Sequence, residues 1–187
     1  MDTHKVTFYP TAFLDRDGVL NACSVDADGV PHPPLHASEI VILDGVDSAC
    51  ARLREAGYLL VCVTNQPDVS RGVQTRERIE AINAMLVDTL KLDAIYVCYH
   101  DNKDNCDCRK PKPGMLLQAM HDFSIDPARS FMVGDRSGDI LAGAAARVRT
   151  FLIDRAYSKR EQCQPDFVVE SLSEAADIVL SSDGGKG

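Results

Sequence analysis

The sequence has no surplus of basic residues, no apolar leader, no run of membrane-spanning length and no internal repeat. Each absence removes a class of function. With 20 Lys and Arg against 28 Asp and Glu the formal charge is -8. A protein that grips a nucleic-acid backbone needs an excess of cations, so nucleic acid is not expected as a partner. Residues 1–10 carry no continuous apolar stretch of the secretory kind, and no later run approaches the roughly 20 apolar residues that cross a bilayer. A cytoplasmic protein with no membrane partner is therefore expected, and in that compartment the seven cysteines do not read as a disulfide framework. What remains is 187 residues, 45% hydrophobic and 26% charged. That composition fits one soluble domain over residues 1–187, acting as a monomer.

Short apolar runs alternate with helical periodicity along the chain. The run before Asp15, Tyr58 to Val63, Ala94 to Cys98, Ser130 to Gly134, Arg149 to Ile153 and Phe167 to Val169 read as strands. Helices are expected over Gly45 to Ala56, Thr75 to Leu90, Met115 to Phe123, Asp139 to Ala146 and Leu172 to Leu180, with Thr75 as a cap and Gly57 as a terminator. Residues 181–187 read as a disordered tail. This alternation predicts a mainly parallel α/β sheet of Rossmann-like type, with helices on both faces and right-handed crossovers. Ligands of such sheets bind at the C-terminal ends of the strands.

The polar residues that stand out lie at those ends. Phe13-Leu-Asp-Arg-Asp-Gly-Val-Leu-Asn21 places Asp15 and Asp17 behind a strand, with Gly18 to turn the chain. Two acids held close call for a divalent cation, a shared proton or a basic neighbour. Asp135, behind another strand, can join Asp15 and Asp17 on one Mg²⁺, with Asp139 a helical turn later holding a metal-bound water. Asp135 also reads as a simple helix cap. Thr64 and Asn65 end a third strand and offer a hydroxyl, an amide and backbone N–H groups to an anion, which is equally ordinary capping chemistry. In Cys108-Arg-Lys-Pro-Lys-Pro-Gly-Met115, prolines stiffen a basic segment. There Lys110 would screen repulsion between Asp15 and a phosphate, and Arg109 would grip a more distant anionic or polar group. Cys98, His100, Cys106 and Cys108 place four soft or borderline ligands within one short loop, the pattern of a closed structural Zn²⁺ site. A redox pair at Cys106 and Cys108, or incidental buried thiols, are the other readings of that loop. Residues 22–40 carry Asp28-Gly29 and Pro31, Pro33 and Pro34. Their length, with a hairpin turning at Asp28-Gly29, reads as a flap over the site or as a plain surface connection.

Taken together, Phe13 to Asn21, Val63-Thr-Asn-Gln66, Cys108-Arg-Lys-Pro111 and Val133-Gly-Asp135 resemble the four ordered motifs of the haloacid dehalogenase superfamily of phosphatases. More closely, they resemble its D-glycero-D-manno-heptose 1,7-bisphosphate 7-phosphatase and histidinol-phosphate phosphatase groups. The resemblance implies a Mg²⁺-dependent phosphomonoester hydrolase acting on a small phosphorylated sugar, without a large cap domain and with a structural zinc loop over residues 98–108. It implies Asp15 as the nucleophile and Asp17 as the general acid and then base. Thr64 and Lys110 would hold the phosphoryl group, Asn65, Arg109 and Arg136 would contact substrate, and Asp135 would complete the metal site. The two substrate groups pull in different directions. The short gap from His100 to Cys106 is similar to the histidinol-phosphate enzymes, and Pro111-Lys-Pro-Gly-Met115 to the heptose enzymes. Tyr99 stands where both usually have proline, and Arg136 where heptose enzymes often have lysine. Outside catalysis, the same fold reads as a non-catalytic sugar-phosphate-binding protein.

Overall fold

A computed structural model describes residues 7–155, 157–158 and 162–183. Six strands form one parallel sheet in the order β5-β4-β1-β6-β7-β8. They are β1 (Thr11–Leu14), β4 (Leu59–Asn65), β5 (Ala94–Cys98), β6 (Phe131–Gly134), β7 (Arg149–Ile153) and β8 (Phe167–Val169). The remaining two, β2 (Ser24–Val25) and β3 (Pro31–His32), make a separate antiparallel hairpin. Its turn is at Gly29, whose φ of 78° is open to glycine at no steric cost. The expected flap is thus a hairpin followed by a single 3-10 turn at Ala37–Glu39. Among the described residues no insertion of cap-domain size interrupts the sheet.

The alternation of side chains along each strand sorts the helices. Ala12, Leu14, Leu60, Cys62, Phe131, Val133 and Phe151 point to one face. There they meet α1 (Val46–Glu55), α2 (Arg76–Leu90) and α5 (Leu172–Asp183) through Leu53, Leu86 and Val179. Phe13, Val61, Val63 and Met132 point to the other face. They meet α3 (Gly114–Phe123) and α4 (Ser137–Ala145) through Leu116, Ala119 and Ala142. Both faces being covered explains why the strands read as unbroken apolar runs rather than alternating ones. Cys50 and Cys62 are core residues.

Three boundaries differ from the sequence reading by more than one residue, each for a local reason. Strand β4 continues through Thr64 and Asn65 because these pair with Val97 and Cys98 of β5. Helix α4 starts at Ser137, two residues before Asp139, because the Asp139 carboxylate accepts the Arg136 backbone N–H at 3.0 Å and closes the first turn from inside the helix. Helix α5 runs on to Asp183, so Ser181 and Ser182 are helical rather than part of a disordered tail. Their hydroxyls bond back to the carbonyls of Asp177 and Ile178. Residues 184–187 of that expected tail lie outside the described residues.

Strand β1 lies between β4, which the chain builds next, and β6, which it reaches only after crossing back. The crevice at the C-terminal end of β1 is therefore the switch point where such sheets bind ligands.

Candidate active site

Asp15 leaves β1 with its backbone N–H still bonded to the Val133 carbonyl of β6 at 3.0 Å. Asp135 follows β6 directly, and Asp139 reaches back from the first turn of α4. One carboxylate oxygen from each of Asp15, Asp135 and Asp139 lies within 4.8 Å of the others, and all three residues are buried. Glycine makes this convergence sterically feasible. Gly18 turns the chain with φ 89°, and a Cβ there would stand 2.0 Å from Asp135 Oδ2. A Cβ on Gly134 would stand 2.1 Å from the Cβ of Asp139.

One cation sits inside the group. Lys110, only 6% exposed, donates from Nζ to Asp15 Oδ1 at 2.7 Å and to the Val63 carbonyl at 2.6 Å. The same nitrogen pairs with Asp139 Oδ1 at 2.6 Å. Burial alone would lower the Lys110 pKa, but Asp139 and Asp15 raise it above the usual lysine value, so the ammonium stays charged. Its backbone is held from β4, where the Asn65 amide both donates to the Lys110 carbonyl at 3.0 Å and accepts from its N–H at 3.1 Å. Asn65, expected to meet substrate, is thus occupied in aligning Lys110. Thr64 is buried beside it, and its hydroxyl accepts from Gln66 Nε2 at 2.9 Å.

Three carboxylates around one ammonium leave the pocket short of positive charge. Burial, then the charge of Asp139, pushes the Asp15 carboxyl up to about 6. Burial, then Asp15 and Asp139, pushes Asp135 up to about 8. Asp135 Oδ1 is moreover buried without a hydrogen-bond partner. An orphaned carboxylate oxygen among other acids is the donor set a hard divalent cation takes. It also separates the two sequence readings of Asp135, because the capping contact at the start of α4 is made by Asp139 and not by Asp135.

Asp17 is not part of this acid group. Expected as a third ligand, its carboxylate faces the other way. It accepts from Arg16 Nε and from Arg16 Nη2 at 2.9–3.2 Å, from Asn21 Nδ2 at 3.0 Å and from Gln66 Nε2 at 2.8 Å. Asp139, expected behind a water, groups directly with Asp15 and Asp135. The sequence reading quoted Asn21 and Gln66 within motifs without assigning them a role, and it passed over Arg16, which is fully buried. It also missed Tyr157, whose hydroxyl hydrogen-bonds the Asp135 carboxylate. The Arg136 guanidinium lies over that tyrosine ring at 5.6 Å, on the exposed rim of the site. Cys23, on the flap, is close enough to feel Asp17, Asp135 and Asp15. Burial first and those charges next push its thiol up to about 12, so it stays protonated. Cys23 also lines a cavity of about 660 Å³ between the flap and the segment after β4.

The thiols of Cys98, Cys106 and Cys108 stand 3.2–3.6 Å apart, and His100 Nδ1 is 3.3 Å from Cys108 Sγ and 3.7 Å from Cys98 Sγ. A tetrahedron with Zn–S near 2.3 Å and Zn–N near 2.0–2.1 Å has edges of roughly 3.5–3.8 Å. The thiol edges are shorter than the S–S edge of that tetrahedron, and the four donors form a group that could hold a metal ion. Arg109, next in sequence, is tied to this loop through Asn102 Oδ1 at 2.7 Å and the His100 carbonyl at 3.1 Å.

Comparison with known proteins agrees with this geometry. Residues 107–175 match the family model described as HAD-hydrolase-like. A D-glycero-beta-D-manno-heptose-1,7-bisphosphate 7-phosphatase of Pasteurella multocida is 36% identical over 182 residues, covering 89% of this chain and 95% of its own length. The protein of the same name from Yersinia pestis is 38% identical over 181 residues, covering 88% and 92%. Among solved structures, a D,D-heptose 1,7-bisphosphate phosphatase from B. bronchiseptica, complexed with magnesium and phosphate, aligns with a TM-score of 0.79 at 31% identity. The match covers 92% of this chain and 99% of that one.

Two outcomes follow from the acid group. Carboxyls raised in the folded state hold protons that the unfolded chain has already released, so folding stability in Mg²⁺-free buffer falls as pH rises from about 4 towards 8. A cation that replaces those protons should stabilise more at the top of that window. The rise in Tm on adding Mg²⁺ is accordingly expected to be larger at pH 8 than at pH 5, and an equal rise would contradict the assignment. Separately, Gly134→Ala should cost about 1–3 kcal/mol in denaturant titration, because its methyl displaces Asp139.

Proposed function

The chain belongs to the haloacid dehalogenase-like phosphatases. From that membership we propose a Mg²⁺-dependent hydrolase that removes the 7-phosphate of D-glycero-D-manno-heptose 1,7-bisphosphate through an aspartyl-phosphate. The observation that carries this reading is the buried group of Asp15, Asp135 and Asp139, with Lys110 paired to Asp15 and Asp139. Its placement at the switch point of the sheet supports the same reading. The heptose substrate is taken from the relatives, which share that name over nearly the full chain. They do not favour histidinol phosphate.

In the reaction we infer, one Asp15 oxygen attacks phosphorus while the bond from phosphorus to the sugar oxygen breaks. The leaving oxygen takes a proton from Asp17. Asp17, now a carboxylate, accepts a proton from water as that water attacks the aspartyl-phosphate, and the bond from Asp15 to phosphorus breaks to release inorganic phosphate. Lys110 and the Thr64 hydroxyl hold the phosphoryl oxygens, and Lys110 offsets the repulsion between them and Asp15. Asp15, Asp135 and Asp139 would hold Mg²⁺, which when bound supplies further charge neutralisation for the transferring group. Arg109 and Arg136 would contact the rest of the substrate.

We also propose Zn²⁺ in the set of Cys98, His100, Cys106 and Cys108, as a structural ion with no open position. The protein would work as a cytoplasmic monomer, where the thiols stay reduced. No disulfide is present and no helix is long and apolar enough to cross a membrane, among the described residues. A non-catalytic sugar-phosphate binder would need no proton carrier at Asp17, and Asp17 is surrounded by four side-chain donor groups.

Asp15→Asn keeps the shape of the site and removes the nucleophile. Phosphate release should fall by roughly three orders of magnitude or more while phosphate binding persists. On the wild type, kcat/KM for the heptose bisphosphate should exceed that for histidinol phosphate by about 100-fold or more. The reverse order would overturn the substrate. For the zinc loop, metal analysis of protein purified without chelator should find about one zinc per chain, and Cys106→Ser should abolish it.

A further inference from the structure

The side chain of Arg16 is completely buried, which for an arginine demands a reason. It stands between the two acids of the first motif, yet it makes no contact with the nucleophile's carboxylate. Its Nε and Nη2 instead fork onto both oxygens of Asp17, at 3.2, 3.2, 3.2 and 2.9 Å. The remaining arm, Nη1, donates to Asn83 Oδ1 at 3.1 Å. Asn83 lies on α2, on the buried stripe that also carries Ile79, Ile82 and Leu86. It is a polar residue placed among the helix's core positions, and its partner is the guanidinium.

We infer that Arg16 and Asn83 are positioning residues for Asp17: α2 holds the guanidinium, and the guanidinium holds the general acid away from the metal-binding carboxylates. This rests on the reading of Asp17 as proton carrier. The physical argument is one of competition. A fourth carboxylate near Asp15, Asp135 and Asp139 would be drawn to the same cation, and a carboxylate bound there is held ionised and has no proton to give the leaving oxygen. A fork of parallel N–H bonds fixes both oxygens and the plane of the Asp17 carboxylate, which a lysine's point charge would not. Asn21 and Gln66 add one donor each from the flanking segments, so the orientation is set from three directions. Gln66 also bonds Thr64, tying the proton carrier to the phosphoryl-holding hydroxyl. Asn83 is far along the chain from every motif, so nothing in the local sequence marks it.

A positioning role for the acid predicts dependence on the leaving group. An aryl phosphate such as p-nitrophenyl phosphate expels a stable anion without help, whereas a sugar phosphate needs the proton. In first-turnover measurements, Asn83→Ala and Arg16→Met should slow ester cleavage of the heptose bisphosphate by roughly 10- to 100-fold. Cleavage of p-nitrophenyl phosphate in the first turnover should change by less than about 3-fold. Steady-state turnover of both substrates should slow, because Asp17 also serves the water step. Arg16→Lys should recover only part of the loss. Should Arg16→Met fail to fold, Asn83→Ala alone decides, since it leaves the ion pair in place. Equal slowing of both first turnovers, or slowing of neither, would overturn the inference. A wild type that cleaves neither ester would instead overturn the phosphatase reading on which it rests.

Discussion

The ammonium of Lys110 is the charge around which the site is arranged. A lysine this deep is tolerated only when its proton is bound on all sides, and here two carboxylates and a main-chain carbonyl do so. Removing the lysine would leave those acids without their cation, a loss of about 3–5 kcal/mol. The pair does not neutralise the pocket, however, since three acids share one lysine. Burial first and the neighbouring carboxylates next raise the pKa values of Asp15 and Asp135, and one Asp135 oxygen is left without a hydrogen-bond partner. A divalent cation is the charge that would offset that excess of acids.

The same chemistry is used twice with opposite results. Asp15 and Asp17 are two residues apart and both face a buried cation, but Lys110 reaches the site from the segment after β5 and Arg16 from within the motif itself. A point charge on a flexible stem engages one oxygen of Asp15. A planar fork holds both oxygens of Asp17 and turns them aside. The two carboxylates are thereby distinguished by the identity of the cation each faces rather than by distance along the chain.

Much of this was legible in the sequence because parallel sheets expose only strand ends. Once the apolar runs are taken as strands, Asp15, Thr64 and Asp135 fall together without further assumption. Turn chemistry gave the hairpin at Gly29 and the end of α1 at Gly57. What stayed hidden depended on side-chain direction. Period and composition show that Asp17 lies near Asp15, but not that its carboxylate turns to Arg16. Nor do they show that Asp139 groups directly with Asp15 and Asp135. The amide of Asn65 reads as a ligand for substrate, and only the third dimension shows it spent on the backbone of Lys110. Asn83 and Tyr157 act across long sequence separations, where no local pattern reports on contact.

The zinc-type loop completes the logic from the other side. Cys108 precedes Lys110 by a single residue, so whatever fixes Cys108 fixes the base of the lysine. The four donors of that loop draw the chain to one point, and Arg71 fastens it to the segment after β4 through a two-pronged pair with Asp101, at 3.0 and 2.8 Å. Arg109 is anchored to the same loop by Asn102. On the opposite side, Asn65 holds the Lys110 backbone from β4. Lys110 is therefore held between a strand end and a loop tied to the segment after β4. Those ties to its backbone place the long side chain whose ammonium bonds Asp15.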